Sequence, residues 1–180
     1  MSAVISQSLL QMRERRRVLL VLSTASVRFG SLIPDINVTR SENISVAEWR
    51  HEQTEGQDPS IEMVLGIGGG SVMDAAKLRG ALLGVPVTLV PTVLSTDAFL
   101  TASAAVRDEG KVRYVPTLTV ERVVIDEALL QSAPAWMNAL GCCDVLSILT
   151  AELASRLKAM GLLRSREEFV LPEEVSNVGS

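Results

Sequence analysis

The stretch IEMVLGIGGGSVMDAAKLRGALLGVPVTLV, residues 61–90, decides the fold. It opens on an apolar run, Ile61 to Ile67, which Gly68, Gly69 and Gly70 interrupt. Ser71 to Leu83 reads as a helix that Gly84 ends, and Val85 to Val90 is a second apolar strand. Strand, glycine turn, helix and strand within about thirty residues make a βαβ crossover of a parallel sheet. The fold expected is therefore α/β, a Rossmann-like parallel sheet with flanking helices.

Upstream, Ser6 to Arg17 reads as an amphipathic helix whose last turn carries Arg13, Arg15, Arg16 and Arg17, where cations suit the helix dipole. A buried strand at Val18 to Leu22, a turn region to Pro34, a strand at Ile36 to Thr39 and a helix at Ser45 to Gln53 follow. Glu55 to Ser60 is a polar loop. Downstream, a polar loop runs from Pro91 to about Thr101, and Ala104 to Tyr114 alternates around Asp108-Glu109-Gly110 as a β-hairpin. Arg122 to Ile125 is expected as a buried strand and Glu127 to Gln131 as a short helix. Pro134 suits a first helical position with Gly141 past that helix's end, and a longer helix follows from Asp144 to about Leu163. A loose charged tail starts at Arg164. The division expected is a dinucleotide-binding α/β domain over 1–143, then a helix and tail over 144–180.

Composition narrows the function classes. The 180 residues are 47% apolar but only 3% aromatic, so the core is aliphatic. A formal charge of −4 argues against nucleic-acid wrapping. No uninterrupted apolar run approaches the ~18 residues of a membrane helix, so no membrane span is expected. Adjacent Cys142 and Cys143 form neither a disulfide framework nor a zinc pair, and read as reduced, buried packing residues of a cytoplasmic protein.

The glycine turn carries the first chemical signal. A helix N-terminus exposes unpaired N–H groups and the positive end of the dipole, and glycines there let a phosphate approach the backbone. Ser71 with Asp74 three residues on also fits a capping pair. The usual dinucleotide fingerprint is incomplete: Gly66 and Gly68 match, its third glycine falls on Ser71, and no acidic residue lies near Val87 to Val90 to hold a ribose. It is not a P-loop, because Gly-Lys-Ser/Thr is absent. The turn either binds a phosphate or is simply a tight strand-to-helix connection. Thr92, Ser95, Thr96, Asp97 and Thr101 follow the next strand, on the same sheet edge. They suit a sugar, a nicotinamide or a polyhydroxy substrate, or form an ordinary capped loop. Lys77 either neutralises phosphate or pairs with Asp74. His51, in a polar segment, reads as a solvated surface residue.

Three segments in order then carry a resemblance: Gly66 to Lys77, Pro91 to Phe99, and Gly141 to Ser147 (Gly-Cys-Cys-Asp-Val-Leu-Ser). Together they resemble the iron-containing alcohol dehydrogenase and dehydroquinate synthase-like superfamily, closest to its glycerol-1-phosphate dehydrogenase branch. The resemblance implies that Gly69, Gly70, Ser71, Val72, Met73 and Asp74 hold the diphosphate region of NAD or NADP. It places Thr92, Ser95 and Thr101 at the nicotinamide half, and Asp97 on the substrate hydroxyl as a catalytic residue. Asp144 falls on the first ligand of a Zn or Fe ion that acts as a Lewis acid, and it too borders the substrate. The family completes that metal site with histidines from a following helical domain, whereas the one histidine here is His51, and Cys143 replaces a glycine of the family's Gly-x-Gly-Asp pattern. The chain is thus expected to be the cofactor-binding half of a polyol-phosphate dehydrogenase with an incomplete metal site, 144–180 being the start or remnant of the helical domain. A helical partner domain or a homo-oligomer is its expected partner. The alternatives are a catalytically silent nucleotide-binding domain, or a dehydroquinate synthase-like lyase.

Overall fold

The computed structural model describes residues 9, 12–26, 29, 30, 33, 36–44, 58–108, 111–117 and 120–162. They form strands β1 (Glu14–Ser23), β2 (Ile36–Ile44), β3 (Met63–Gly68), β4 (Val87–Pro91), β5 (Ser103–Asp108), β6 (Lys111–Pro116) and β7 (Arg122–Val123). The helices are α1 (Gly70–Leu83), α2 (Glu127–Gln131) and α3 (Ala135–Ala159). The chain divides into two compact units, Met1–Asp144 and Val145–Ser180.

The main sheet runs β2-β1-β3-β4-β7 with every neighbouring pair parallel, and β5 and β6 form a separate antiparallel hairpin. Central strands of a parallel sheet are covered on both faces, which is why they read as unbroken apolar runs. Val18, Leu20, Leu22, Met63, Leu65 and Ile67 pack with Phe29 and Leu129 in one core layer. Leu19, Val21, Val64, Val87 and Leu89 pack with Val72, Met73, Ala75 and Ala76 of α1 in the other. Close helix–sheet approach needs glycine at Gly66, where a Cβ would stand 2.6 Å from that of Ala76. Gly84 closes α1 in the left-handed conformation at φ 67°, the one place among this unit's described residues where glycine is required by its backbone angle.

Several expectations change. Arg15 to Arg17 are strand, not the end of a helix, because the backbone at Arg17 is zipped to the lead-in of β3. The Arg17 N–H donates to the Glu62 carboxylate (2.9 Å) and the Glu62 N–H to the Arg17 carbonyl (2.8 Å). β2 extends to Ile44. The strand expected at Arg122 to Ile125 shrinks to two residues with Arg122 exposed, since it pairs with β4 only at the sheet's edge. Gly141 does not end a helix: α3 passes through it without a break. That helix ends instead at Gly161, φ 73°, in a Schellman motif where Leu162 N–H reaches the Leu157 carbonyl (2.9 Å) and Gly161 N–H that of Lys158 (3.0 Å). By length and composition alone α3 could cross a membrane, but Asp144, Glu152, Arg156 and Lys158 interrupt it and it is no clear span. The helix expected at Ser45 to Gln53, His51 within it, and the tail from Arg164 lie outside the described residues.

An ion-pair cluster pins the start of β1. Arg16 Nε donates to Glu14 Oε1 (2.8 Å) and Arg16 Nη1 to Glu121 Oε2 (3.0 Å). The Arg16 hydrogen bond holds the Glu14 carboxyl below its ordinary value near 4.5, against a smaller upward push from burial. A depressed folded-state pKa contributes stability above the ordinary value and loses it as pH falls through the folded one. Glu14→Gln should therefore lower stability at pH 7 by about 1 kcal/mol, discounted for the partly exposed arginine. Urea titrations of both proteins should converge below about pH 4; a gap that persists there would refute the assignment.

Candidate functional site

In an open parallel sheet, ligands bind at the carboxyl ends of the strands where the strand order reverses. Here the reversal falls between β1 and β3: the chain leaves β1 toward β2 on one side and β3 toward β4 on the other. A cavity of about 360 Å³ opens at that point. Ser23, Ala25 and Ser26 line it from the loop after β1, and Gly69, Gly70, Ser71 and Val72 from the turn after β3. Thr92, Val93 and Ser95 come from the loop after β4, Ser132, Ala133 and Pro134 from the lead-in to α3, and Met137 from its first turn.

The start of α1 is built to receive an anion. Gly69 is its N-cap in extended conformation, with no side-chain cap, and its first turn carries no acidic residue. The capping pair expected from Ser71 and Asp74 does not form. Ser71 sits one residue into the helix and is exposed, while Asp74 turns to Lys77. The Val72 and Met73 amides donate to the Gly69 carbonyl (3.0 and 3.1 Å), and no side chain caps the Gly70 and Ser71 amides at the helix start. A Cβ at Gly69 would touch only Val93 Cγ1, at 3.2 Å, so the fold itself asks little of this glycine.

Lys77 pairs with Asp74 rather than reaching a phosphate. It is fully buried, its Nζ 3.1 Å from Asp74 Oδ1. It also donates to the carbonyls of Ala98 (2.7 Å) and Ser103 and to the Thr101 hydroxyl (3.2 Å). Burial raises the Asp74 pKa, the Lys77 charge opposing it. The cluster clamps α1 to the loop that runs from β4 into the hairpin.

A second clamp fixes the other end of that loop. Asn138 Oδ1 accepts from the Leu94 N–H (2.9 Å) and its amide donates to the Leu130 carbonyl (3.0 Å). Asp144 Oδ2 accepts from the Asp97 N–H (3.0 Å). Between them lies Gly141, where a Cβ would meet the Leu94 carbonyl oxygen at 2.0 Å. Residues 138, 141 and 144 thus share one helix face laid directly on backbone. Cys142 and Cys143 point elsewhere and are exposed, not the buried packing residues expected.

Of the residues the sequence singles out, Gly69, Gly70, Ser71, Val72, Thr92 and Ser95 line the cavity. Met73 is buried beneath it in the core, Asp74 and Thr101 surround Lys77, and Asp97 and Asp144 meet at the second clamp. Sequence reading missed Ser23, Ser26, Phe29, Ser132, Ala133, Pro134 and Met137, all of which line the cavity. The signal available was their position after strand ends on the same sheet edge. Among the described residues no three His, Cys, Asp or Glu side chains cluster as a metal site. Asp144 spends one oxygen on the Asp97 amide, so the donor set described does not fit a catalytic metal, which takes three protein ligands.

Residues 6–134 match the iron-containing alcohol dehydrogenase family. Among similar proteins is a glycerol-1-phosphate dehydrogenase [NAD(P)+] of Methanothrix thermoacetophila, 31% identical over 128 residues, covering 69% of this chain and 36% of the relative. The chain spans about a third of the length of such relatives. Solved structures with the same fold include a probable glycerol dehydrogenase from Sinorhizobium meliloti, with TM-score 0.60, 27% identity, and 73% of this chain and 39% of the other covered. An iron-containing alcohol dehydrogenase from Thermotoga maritima aligns at TM-score 0.60 with 21% identity, covering 73% of this chain and 46% of the other.

Proposed function

This chain belongs to the iron-containing alcohol dehydrogenase family, and from that premise we propose that it is the dinucleotide-binding half of an NAD(P)-dependent polyol-phosphate dehydrogenase. The observation that carries this reading is the uncapped, acid-free start of α1 opening into the cavity at the strand-order reversal. The amides of Gly69, Gly70 and Ser71 would hold the diphosphate at the positive end of the helix. Val72 and the buried Met73 back that turn. Thr92 and Ser95 offer hydroxyls to the nicotinamide half, with Thr101 behind them on Lys77. The bound nicotinamide supplies hydride acceptance and donation. Asp97, and Asp144 beside it, are the groups proposed to meet the substrate hydroxyl, with sn-glycerol 1-phosphate or dihydroxyacetone phosphate as the substrate pair. The dinucleotide domain is proposed to occupy 1–143, and 144–180 to begin the helical portion of the longer relatives.

A second reading, a nucleotide-binding domain without catalysis of its own, is favoured by the absence of a three-ligand cluster among the described residues. Titration with NADH and NADPH, followed by fluorescence, tests the cofactor reading. Gly69→Val should weaken binding tenfold or more, because a branched side chain bars the anion from charge-assisted bonds of about 1.5–3 kcal/mol. Its thermal stability should change little. Equal affinity in both proteins would refute the phosphate assignment. Adding glycerol 1-phosphate and zinc then tests whether the chain acts alone: turnover would overturn both readings, and turnover that appears only when a separate helical partner is added would favour the half-enzyme over the silent domain.

A further inference from the structure

The loop after β4 and the lead-in to α3 both line the cavity, and Asn138, in the first turn of α3, ties them together. Its Oδ1 accepts from the Leu94 N–H (2.9 Å) and its Nδ2 donates to the Leu130 carbonyl (3.0 Å). One partner is a donor and the other an acceptor, and an amide answers both. A carboxylate would set lone pairs against the Leu130 oxygen, and an aliphatic side chain would answer neither. Val93 and Ser95, on either side of Leu94, line the cavity, as do Ser132 beyond Leu130 and Met137 beside Asn138. Asn138 is not itself among the lining residues. All of these residues belong to one compact unit, Met1–Asp144.

We propose that Asn138 is a positioning residue for the nicotinamide half of the dinucleotide, setting how far the wall with Val93 and Ser95 stands from the wall with Ser132 and Met137. The inference rests on the dinucleotide reading above and names the residue that shapes one half of that site. Among the described residues no charged side chain lines the cavity. A lining of that kind fixes its ligand by placed hydroxyls and by shape, so the spacing of its walls governs the fit. The diphosphate turn is held separately. The Thr92 N–H donates to the Gly68 carbonyl (2.9 Å), which anchors the start of the loop to that turn without Asn138. Loss of the amide therefore frees residues 93–95 and leaves the turn of Gly69, Gly70 and Ser71 in place.

Calorimetric titration of the full chain with NADH and with ADP-ribose, the same dinucleotide without its nicotinamide, tests the proposal. Asn138→Leu keeps the volume and loses both bonds. It should weaken NADH about tenfold, the scale of one or two hydrogen bonds, and ADP-ribose less than about twofold. Asn138→Asp keeps the acceptor for Leu94 and should fall between the two proteins for NADH, with ADP-ribose again unchanged. It carries the same comparison should Asn138→Leu fail to fold. The emission of NADH at saturation, which reports the surroundings of the nicotinamide, should move toward that of free NADH in the variants. Equal losses for the two ligands would make Asn138 a general structural residue and overturn the proposal, as would NADH affinity unchanged in both variants. A parent chain that binds both ligands equally would overturn it too, while leaving the diphosphate site standing. A parent chain that binds neither would refute the dinucleotide reading itself, and the proposal with it.

Discussion

Replacing Lys77 by methionine should cost the domain about 3–5 kcal/mol at neutral pH, the usual penalty for removing one partner of a buried ion pair. Methionine keeps most of the side chain's volume, so the loss is electrostatic rather than a cavity. The ammonium is fully buried and has three protons, which match Asp74, the Ala98 carbonyl and the Ser103 carbonyl. Without it these acceptors remain out of water, and Asp74 keeps a charge that its surroundings already disfavour. Burial holds the Asp74 pKa above its ordinary value near 3.8. An acid with a raised folded-state pKa destabilises the fold above that pKa and relieves it on protonation. The gap between variant and parent should therefore narrow as pH is lowered, and Lys77→Met with Asp74→Asn should recover part of the loss. Urea unfolding followed by circular dichroism at pH 7 and pH 5 measures both effects. A loss below about 1 kcal/mol, the scale of an exposed pair, would mean that Lys77 does not clamp the loop.

This clamp also shows where sequence reading stops. The crossover over residues 61–90 was legible because each of its signals is local: two apolar runs, a glycine turn and a left-handed stop at Gly84. Its place on the ligand-binding edge follows from parallel topology alone. Lys77 left two readings open, because its acceptors lie 21 to 26 residues away and no periodicity brings them near. The arginines at the start of β1 read as a helix end until Glu121, 105 residues distant, is seen beside Arg16. The serines after β1 carried no motif, and only the strand order places them across the cavity from Gly69. Gly141 was misread for a different reason. A glycine near a helix boundary signals either a left-handed stop or a close approach, and sequence does not separate the two.

Gly141→Ala distinguishes them by the sign of its effect. In an unpacked helix the substitution would stabilise, since alanine is favoured over glycine by about 1 kcal/mol. Here the added Cβ would stand 2.0 Å from the Leu94 carbonyl oxygen and 3.0 Å from its carbon. Both are backbone atoms, so no rotamer change relieves the clash, and helix and loop must part by about an ångström, with overpacking strain of about 1–3 kcal/mol. Parting them stretches the Asn138 bond to Leu94 at 2.9 Å and the charge-assisted Asp144 bond to Asp97 at 3.0 Å. Losing the charged bond alone costs about 1.5–3 kcal/mol, so a net loss of about 2–4 kcal/mol is expected after the helix gain is subtracted. The same displacement moves Val93 and Ser95 away from Met137 on the opposite wall of the cavity, so affinity for NADH should fall together with the melting temperature. Asn138→Ala removes one of the two bonds without any clash and should give a smaller loss of both. A rise in melting temperature for Gly141→Ala would show that α3 does not rest on the loop after β4, and would remove the mechanism by which Asp144 is held beside Asp97.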